Sequence, residues 1–260
     1  MLDLLALCLQ LSLPLPSVPD KLCTSVKLEA SSAVSVKGRT ILQRDVVAEL
    51  PKHRVLVLGG IHGDERSASS LVFHWIEHAQ ATPASTHWRF IPGLNPDGLL
   101  AQPPRRTNAN GVDLNRNFPT PDWQRDAVGY WTTKTKKDPR RYPGKEPLSE
   151  PESKFLYEQI ESFKPDIIVS IHAPFGVLDF DGPSTPPHKL GRLYLDQVGI
   201  YPGSLGNYGG VTLGIPVVTV ELPHAAKAPT SAEMRQMWLD LVRWMSAHPA
   251  AAPITKTALR

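Results

Sequence analysis

Three short aliphatic runs, RVLVL (54–58), IIVSI (167–171) and VVTV (217–220), constrain this chain more than any other feature in it. Each is too short for a buried helix and too continuously apolar for a strand with one wet face. Such runs read as strands covered on both sides, the habit of a largely parallel sheet. Between them the period changes. SASSLVFHWIEHA (67–79), SEPESKFLYEQIESF (149–163) and TSAEMRQMWLDLVRWM (230–245) carry apolar residues at helical spacing. The last two open on Ser149/Glu152 and Thr230/Glu233, each spaced as a capping box. AVSVKGRTILQRDVVAEL (33–50) alternates about Lys37-Gly38 as a hairpin does, and HWRFIPGL (87–94) reads as a further strand. Strand and helix alternate, so the expected class is α/β. One domain over 31–260 should hold a mixed, mostly parallel central sheet with helices on both faces.

Composition narrows the function classes. With 260 residues and 41% hydrophobic content, the chain can bury a sizeable core. Its 26 prolines cluster in loops such as AQPPRR and DGPSTPP, which predicts stiff connections on a folded scaffold. A net charge of +3 is too mild to argue for nucleic acid, and the basic run TKTKKDPRR (133–141) reads as a solvated loop. Only two cysteines occur, Cys8 and Cys23, so a thiolate zinc site is excluded by count. Both lie too near the N-terminus to staple the main domain. Cys8 sits in LLALCLQLSLPLP (4–16), too short to span a bilayer and of the length of a signal-peptide core. Residues 1–30 are therefore expected to be a leader and the protein to be exported or periplasmic, a cytoplasmic location being the alternative.

The chemistry gathers at the strand ends. His62 and Glu65 follow RVLVLGG, His172 ends IIVSIH, and Glu221 ends VVTVE. In an open α/β sheet, ligands bind outside the carboxyl ends of the strands. His-x-x-Glu with one distant His supplies three ligands and leaves a position open, the pattern of a catalytic zinc. Glu221 is then the spare carboxylate, able to take a proton from water. Each signal alone has an ordinary structural explanation, such as a core histidine or a carboxylate in a salt bridge. His53, His74, His78, His87, His188, His224 and His248 show no comparable placement and are read as surface or packing residues.

The stretch between these ends raises the case. NPDG (95–98) and RRTNANGVDLNRNFP (105–119) are polar, loop-forming and unsuited to a core. Asn115 and Arg116 put an amide beside a bidentate fork, a combination suited to a carboxylate, and Arg106 is a second cation in the same loop. The order HGDE, NPDG, GVDLNRNFP, SIH and VELP resembles the zinc metallocarboxypeptidase family over roughly residues 33 to 246. Within it, RTNANGVDLNRNFP, SEPES and PGSLGNY look most like the bacterial murein peptide amidase branch. FGVLDFDGP (175–183) departs from that branch's pattern.

The resemblance implies one zinc per chain on His62, Glu65 and His172, with Glu221 as general base. It implies that Asn115 and Arg116 hold the substrate's terminal carboxylate and that Arg106 polarises the scissile carbonyl. The implied partner is a murein peptide, cut at the γ-D-glutamyl–meso-diaminopimelate bond. Two rivals exist: an N-acyl amino acid deacylase of the aspartoacylase or succinylglutamate desuccinylase type, which shares H-G-x-E and D-L-N-R, and a non-catalytic wall-peptide binder.

Overall fold

A computed structural model of the chain describes residues 3–82 and 85–247. The chain begins with α1 (Leu4–Ser12) and α2 (Asp20–Val26), then the hairpin of β1 (Glu29–Val34) and β2 (Thr40–Val47). Next come β3 (His53–Leu58), α3 (Arg66–Ala81), β4 (Thr86–Ile91), a single turn α4 (Pro96–Leu99), α5 (Trp123–Thr133) and α6 (Pro151–Phe163). The second half adds β5 (Ile167–His172), β6 (Val177–Asp181), the two-residue pair β7 (Lys189–Leu190) and β8 (Leu193–Tyr194), β9 (Val217–Glu221) and α7 (Ser231–Ala247). A π-helical turn, Gly206–Thr212, precedes β9.

Seven strands form one sheet in the order β1-β2-β4-β3-β5-β9-β6. The three central pairings, β4–β3, β3–β5 and β5–β9, are parallel, and the outer three are antiparallel. The aliphatic runs supply three of the four central strands, and side-chain parity shows why they had to be apolar throughout. In β3, Val55 and Val57 join the core cluster under α3 and α7, while Leu56 and Leu58 join the cluster under α6. In β5, Val169 and Ile171 face the first cluster and Ile168 the second. A strand with helices on both faces has no wet side, so a polar residue on it requires a buried partner.

That parity also places the chemistry. Ile168 and Val217 belong to the cluster under α6, so Ser170, His172, Thr219 and Glu221 point to that same face two or four positions further along. β5 and β9 are neighbours in register, His172 opposite Glu221. As α6 does not extend over these last residues, a cavity opens there at the carboxyl end of the sheet.

Several local expectations are revised. Thr230 and Glu233 form the reciprocal box, Glu233 N donating to Thr230 Oγ1 and Thr230 N to Glu233 Oε2. Ser149 and Glu152 do not. The residue before α6 is Glu150, which makes no side-chain cap, and Glu152 is drawn away to accept from Val36 N and Asn108 Nδ2. Elements that were not expected include α5, in the loop region after residue 119, and β6, within FGVLDFDGP. The tail from 248 to 260, including His248, lies outside the described residues.

Residues 3–26, which the sequence suggested as part of a leader, pack onto the main domain. Cys8, Leu11, Leu15, Leu22, Cys23 and Val26 are members of the core cluster that holds α3 and α7. Arg66 donates to Pro14 O and His74 Nε2 meets Ser17 O, tying the segment to α3. A Cys8–Cys23 disulfide joins α1 to α2 across 15 positions. A cross-link of that span contributes about 3 kcal/mol through the entropy of the unfolded chain. Replacing both cysteines by serine should lower the melting temperature by roughly 5–10 °C in thermal denaturation, for a chain of this size. An unchanged melting temperature would mean that the helix pair docks without help from the bond.

Candidate metal centre

The turn after β3 brings His62 and Glu65 to the cavity mouth, and the turn is possible because of glycine. A Cβ on Gly63 would collide with the backbone of Gly98 and Leu99, so HGDE and NPDG are in contact there. Asn95 shapes the second turn, its Oδ1 accepting from Gly98 N while its amide reaches Arg106 O. The two motifs therefore form one structure that sets the loop carrying Arg106.

Three donors converge at the centre. His62 Nδ1 lies 2.8 Å from Glu65 Oε1, and His172 Nδ1 lies 3.0 Å from Glu65 Oε2. The two Nδ1 atoms are 3.2 Å apart, and all three residues are buried. Their outer nitrogens are engaged elsewhere: His62 Nε2 is 3.0 Å from Asp113 Oδ1, and His172 Nε2 is 2.9 Å from Ser170 Oγ. With Nε2 donating to those oxygens, each ring turns an Nδ1 lone pair inward onto an ionised carboxylate. Lone pairs and negative charge meeting in a buried space need a cation, and two imidazoles with one carboxylate suit zinc.

Glu221 stands beside this set. It is buried, its Oε2 has no hydrogen-bond partner, and burial raises its proton affinity above that of an ordinary glutamate. A carboxylate in that state is equipped to accept a proton and to pass it on.

The cavity, about 320 Å³, is lined by all seven residues singled out in the sequence: His62, Glu65, Arg106, Asn115, Arg116, His172 and Glu221. Arg106 lies across Asp113, which receives both Nε and Nη2, and its Nη1 is 3.5 Å from Glu65 Oε1. Asn115 accepts from Leu205 N through Oδ1. Arg116 is 5% exposed, with the Tyr201 ring 4.5 Å from its guanidinium carbon. The polar loop judged unsuited to a core is in fact half buried, because most of its polar groups have partners. Asn117 donates to Pro143 O and Glu146 O, and Asn108 to Glu150 and Glu152.

Sequence reasoning missed Asp113 and the end of the basic run, and left Tyr201 and Tyr208 unassigned; of the two, Tyr201 lines the cavity. Asp113 was legible as the acidic residue inside GVDLNR. Arg140 and Arg141, assigned to a solvated loop, line the cavity, where Arg140 donates to Asp64, the neighbour of Glu65. Their approach depends on α5, which folds the run back over the site.

The sheet order, the cavity at its carboxyl end and a His-Glu-His donor set beside a free carboxylate define a metal-dependent hydrolase of the carboxypeptidase fold. The chain belongs to the zinc carboxypeptidase family, which matches residues 25–178, and it is accordingly a zinc peptide hydrolase. It is 32% identical to murein peptide amidase A of Escherichia coli K12 over 204 residues, 76% of this chain and 81% of that one. The Vibrio campbellii protein of the same name is 34% identical over 207 residues, 77% and 79% of the two chains. Among solved structures, the murein-tripeptide amidase of Escherichia coli O157 superposes with a TM-score of 0.61 at 28% identity, covering 86% of this chain and 93% of that one. Carboxypeptidase A of Helicoverpa armigera shares the fold, with a TM-score of 0.64 at 16% identity over 85% and 69% of the chains.

Assignment of the metal to these three side chains has a direct check. His172→Ala should lose stoichiometric zinc, measured by elemental analysis of the purified protein, because two ligands from one turn cannot complete the site. Zinc retained at one per chain in that variant would move the ligand set elsewhere.

Proposed function

We propose that the chain removes a C-terminal residue from a murein peptide by cutting the amide bond between γ-D-glutamate and meso-diaminopimelate. Arg116 is the observation that carries the reading. Its guanidinium is buried, and among the described residues its one hydrogen bond is from Nη1 to the carbonyl of Asn115, while its Nε has no partner. Among the described residues no carboxylate forms an ion pair with it. A buried cation left open toward a cavity is a receptor for an anion, and a planar fork fits a carboxylate. A chain terminus supplies that group; an internal peptide bond does not. The names of the relatives support the murein peptide as the source of that terminus.

In this reading Asn115 and Arg116 hold the terminal carboxylate and so fix the scissile bond beside His62, Glu65 and His172. Zinc on those ligands would supply Lewis acidity toward a water and a carbonyl oxygen. Glu221 takes the proton of the attacking water and returns it to the leaving amine. Its raised proton affinity brings it closer to the working pH, where such transfer is most effective. Arg106 Nη1, held by the Asp113 pairing of the other two nitrogens, meets the charge that develops on the carbonyl oxygen. Loss of one such donor usually costs about a hundredfold in rate or more.

Three measurements test the assignment. Glu221→Gln should retain zinc and fold while losing nearly all turnover, since an amide keeps the shape but cannot accept the proton; a comparable kcat would place the base elsewhere.

The tripeptide ending in diaminopimelate should be cleaved well and the tetrapeptide with a further D-alanine poorly, because the clamp then meets an amide. Arg116→Lys should raise KM more than it lowers kcat, as an ammonium loses the two-point geometry. Equal cleavage of both peptides at the γ-D-glutamyl bond, or release of D-alanine alone, would overturn the reading. The Cys8–Cys23 bond supports an exported or periplasmic location, where disulfides persist. Cell fractionation that found the protein in the cytosol with free thiols would refute it.

A further inference from the structure

The basic run 133–141 ends at the cavity, and the reaction leaves its last two residues unused. Asp138 Oδ1 accepts from Arg140 N at 2.9 Å and starts the short turn Pro139–Arg141. Trp131 Nε1 donates to Asp138 O, and its ring lies 4.9 Å from that of Tyr142. Tyr142 O in turn accepts from Asp113 N at 2.8 Å. The turn is thus pinned at both ends, one of them by the residue that orients His62 and Arg106. Its backbone is in place before any ligand arrives, which lowers the entropy cost of binding one.

Four guanidinium groups line the cavity, those of Arg106, Arg116, Arg140 and Arg141. Arg106 pairs with Asp113 and approaches Glu65, and Arg140 Nη2 donates to Asp64 at 2.9 Å. Arg116 and Arg141 are left. The side chain of Arg141 makes no hydrogen bond among the described residues, and its one ion pair there, with Asp138, is stretched to 3.9 Å. Its charge is felt at Arg116, where Arg106 and Arg141 add to the effect of burial in lowering the proton affinity. A terminal carboxylate on Arg116 satisfies one of these two cations. The other calls for a second anion.

The chemistry of the substrate supplies one. In a γ-linked glutamate the side-chain carbonyl is the one that is cut, so the α-carboxylate stays free on the acyl side. It lies four bonds from the scissile carbon, about 5 Å when extended. Arg140 stands on that side of the metal centre. Asp64, which holds it, is the neighbour of Glu65. Burial lowers the proton affinity of Arg106, but the charges of Asp113, Glu65 and Asp64 outweigh it, so Asp64 is also within electrostatic reach of the group placed at the scissile oxygen. An α-linked peptide would present an uncharged amide where a γ-linked one presents this carboxylate.

We propose that Arg141, with Arg140 beside it, binds the free α-carboxylate of the γ-linked D-glutamate on the acyl side of the bond that is cut. The proposal rests on the reading of that bond as γ-D-glutamyl and adds the side chains that recognise the linkage. A planar fork with no close partner suits a carboxylate, and the Asp64 contact positions the second fork next to it.

The deciding comparison is L-Ala-γ-D-Glu-meso-diaminopimelate against the same tripeptide with D-isoglutamine, in which a carboxamide replaces the α-carboxylate and nothing else changes. With the wild-type zinc enzyme, kcat/KM should favour the acid by about tenfold or more, mainly through KM, the scale of a charge-assisted hydrogen bond. Arg141→Gln should bring that ratio close to one, and Arg141→Lys, which keeps the charge but loses the fork, should fall between. Binding of both peptides to Glu221→Gln, by calorimetry, is read independently of turnover. If neither peptide is cleaved but the acid is bound in preference to the amide, and Arg141→Gln in that background removes the preference, the anion site stands and the proposed cleavage falls. Equal or reversed preference in protein with an intact Arg141, or a preference undiminished in Arg141→Gln, overturns the proposal. The wild-type ratio tests the selectivity even if a variant does not fold.

Discussion

Asp113 has no solvent exposure and touches three parts of the site at once. One oxygen meets His62 Nε2 and the Asn115 backbone N–H, and the other receives Nε and Nη2 of Arg106. Burial opposes its ionisation, but Arg106 and His62 outweigh that and hold it well below the usual carboxylate range. The pairing fixes which way the His62 ring faces and leaves Arg106 only Nη1 to offer the cavity. It also closes the turn that leads into Asn115 and Arg116. Removing one member of such a buried pair costs about 3–5 kcal/mol, a large part of a domain's net stability. The metal ligand, the cation beside it and the start of the anion clamp therefore depend on one side chain.

The loop around Asp113 survives inside the protein by the same logic. Asn95, Asn108, Asp113, Arg116 and Asn117 are all buried, in a stretch with almost no regular structure to satisfy its backbone. Their amides and carboxylates take over that task. Asn108 Oδ1 accepts from the N–H groups of Asn110 and Val112, and Asn117 Oδ1 from Glu150 N and Ser153 Oγ. A satisfied polar network is rigid, because each bond broken would strand a buried partner. Rigidity is what a hydrolytic site needs if its donors are to be in place before the substrate arrives.

Arg116, Asp181 and Glu221 are exceptions to this satisfaction. They line the cavity, and none of them forms an ion pair among the described residues. A fold tolerates such groups when a ligand completes them, so the unsatisfied positions outline what the cavity is shaped to receive.

Much of this was legible along the chain because it is periodic or local. The runs around Val57, Val169 and Val218 had to be strands buried on both faces, and an α/β sheet places their carboxyl ends together. His62, Glu65, His172 and Glu221 stand at those ends, so their meeting followed from topology. Other features are set by contacts between distant segments, which leave no period in the sequence. The Leu11 and Leu22 helices pack into the main core through an apolar match with α3, although the composition of that stretch equally suits a leader. Glu152 serves Asn108 and Val36 instead of its own helix, and the Ser149 N–H turns to Glu146 O. Arg140 and Arg141 reach the cavity only because α5 turns their loop back across it. The isolation of Asp181 became visible only once β6 was paired to β9 and a turn with two glycines was laid over it. Local pattern decided which residues bear the chemistry; tertiary packing decided which of their charges remain unpaired, since that depends on every neighbour in space.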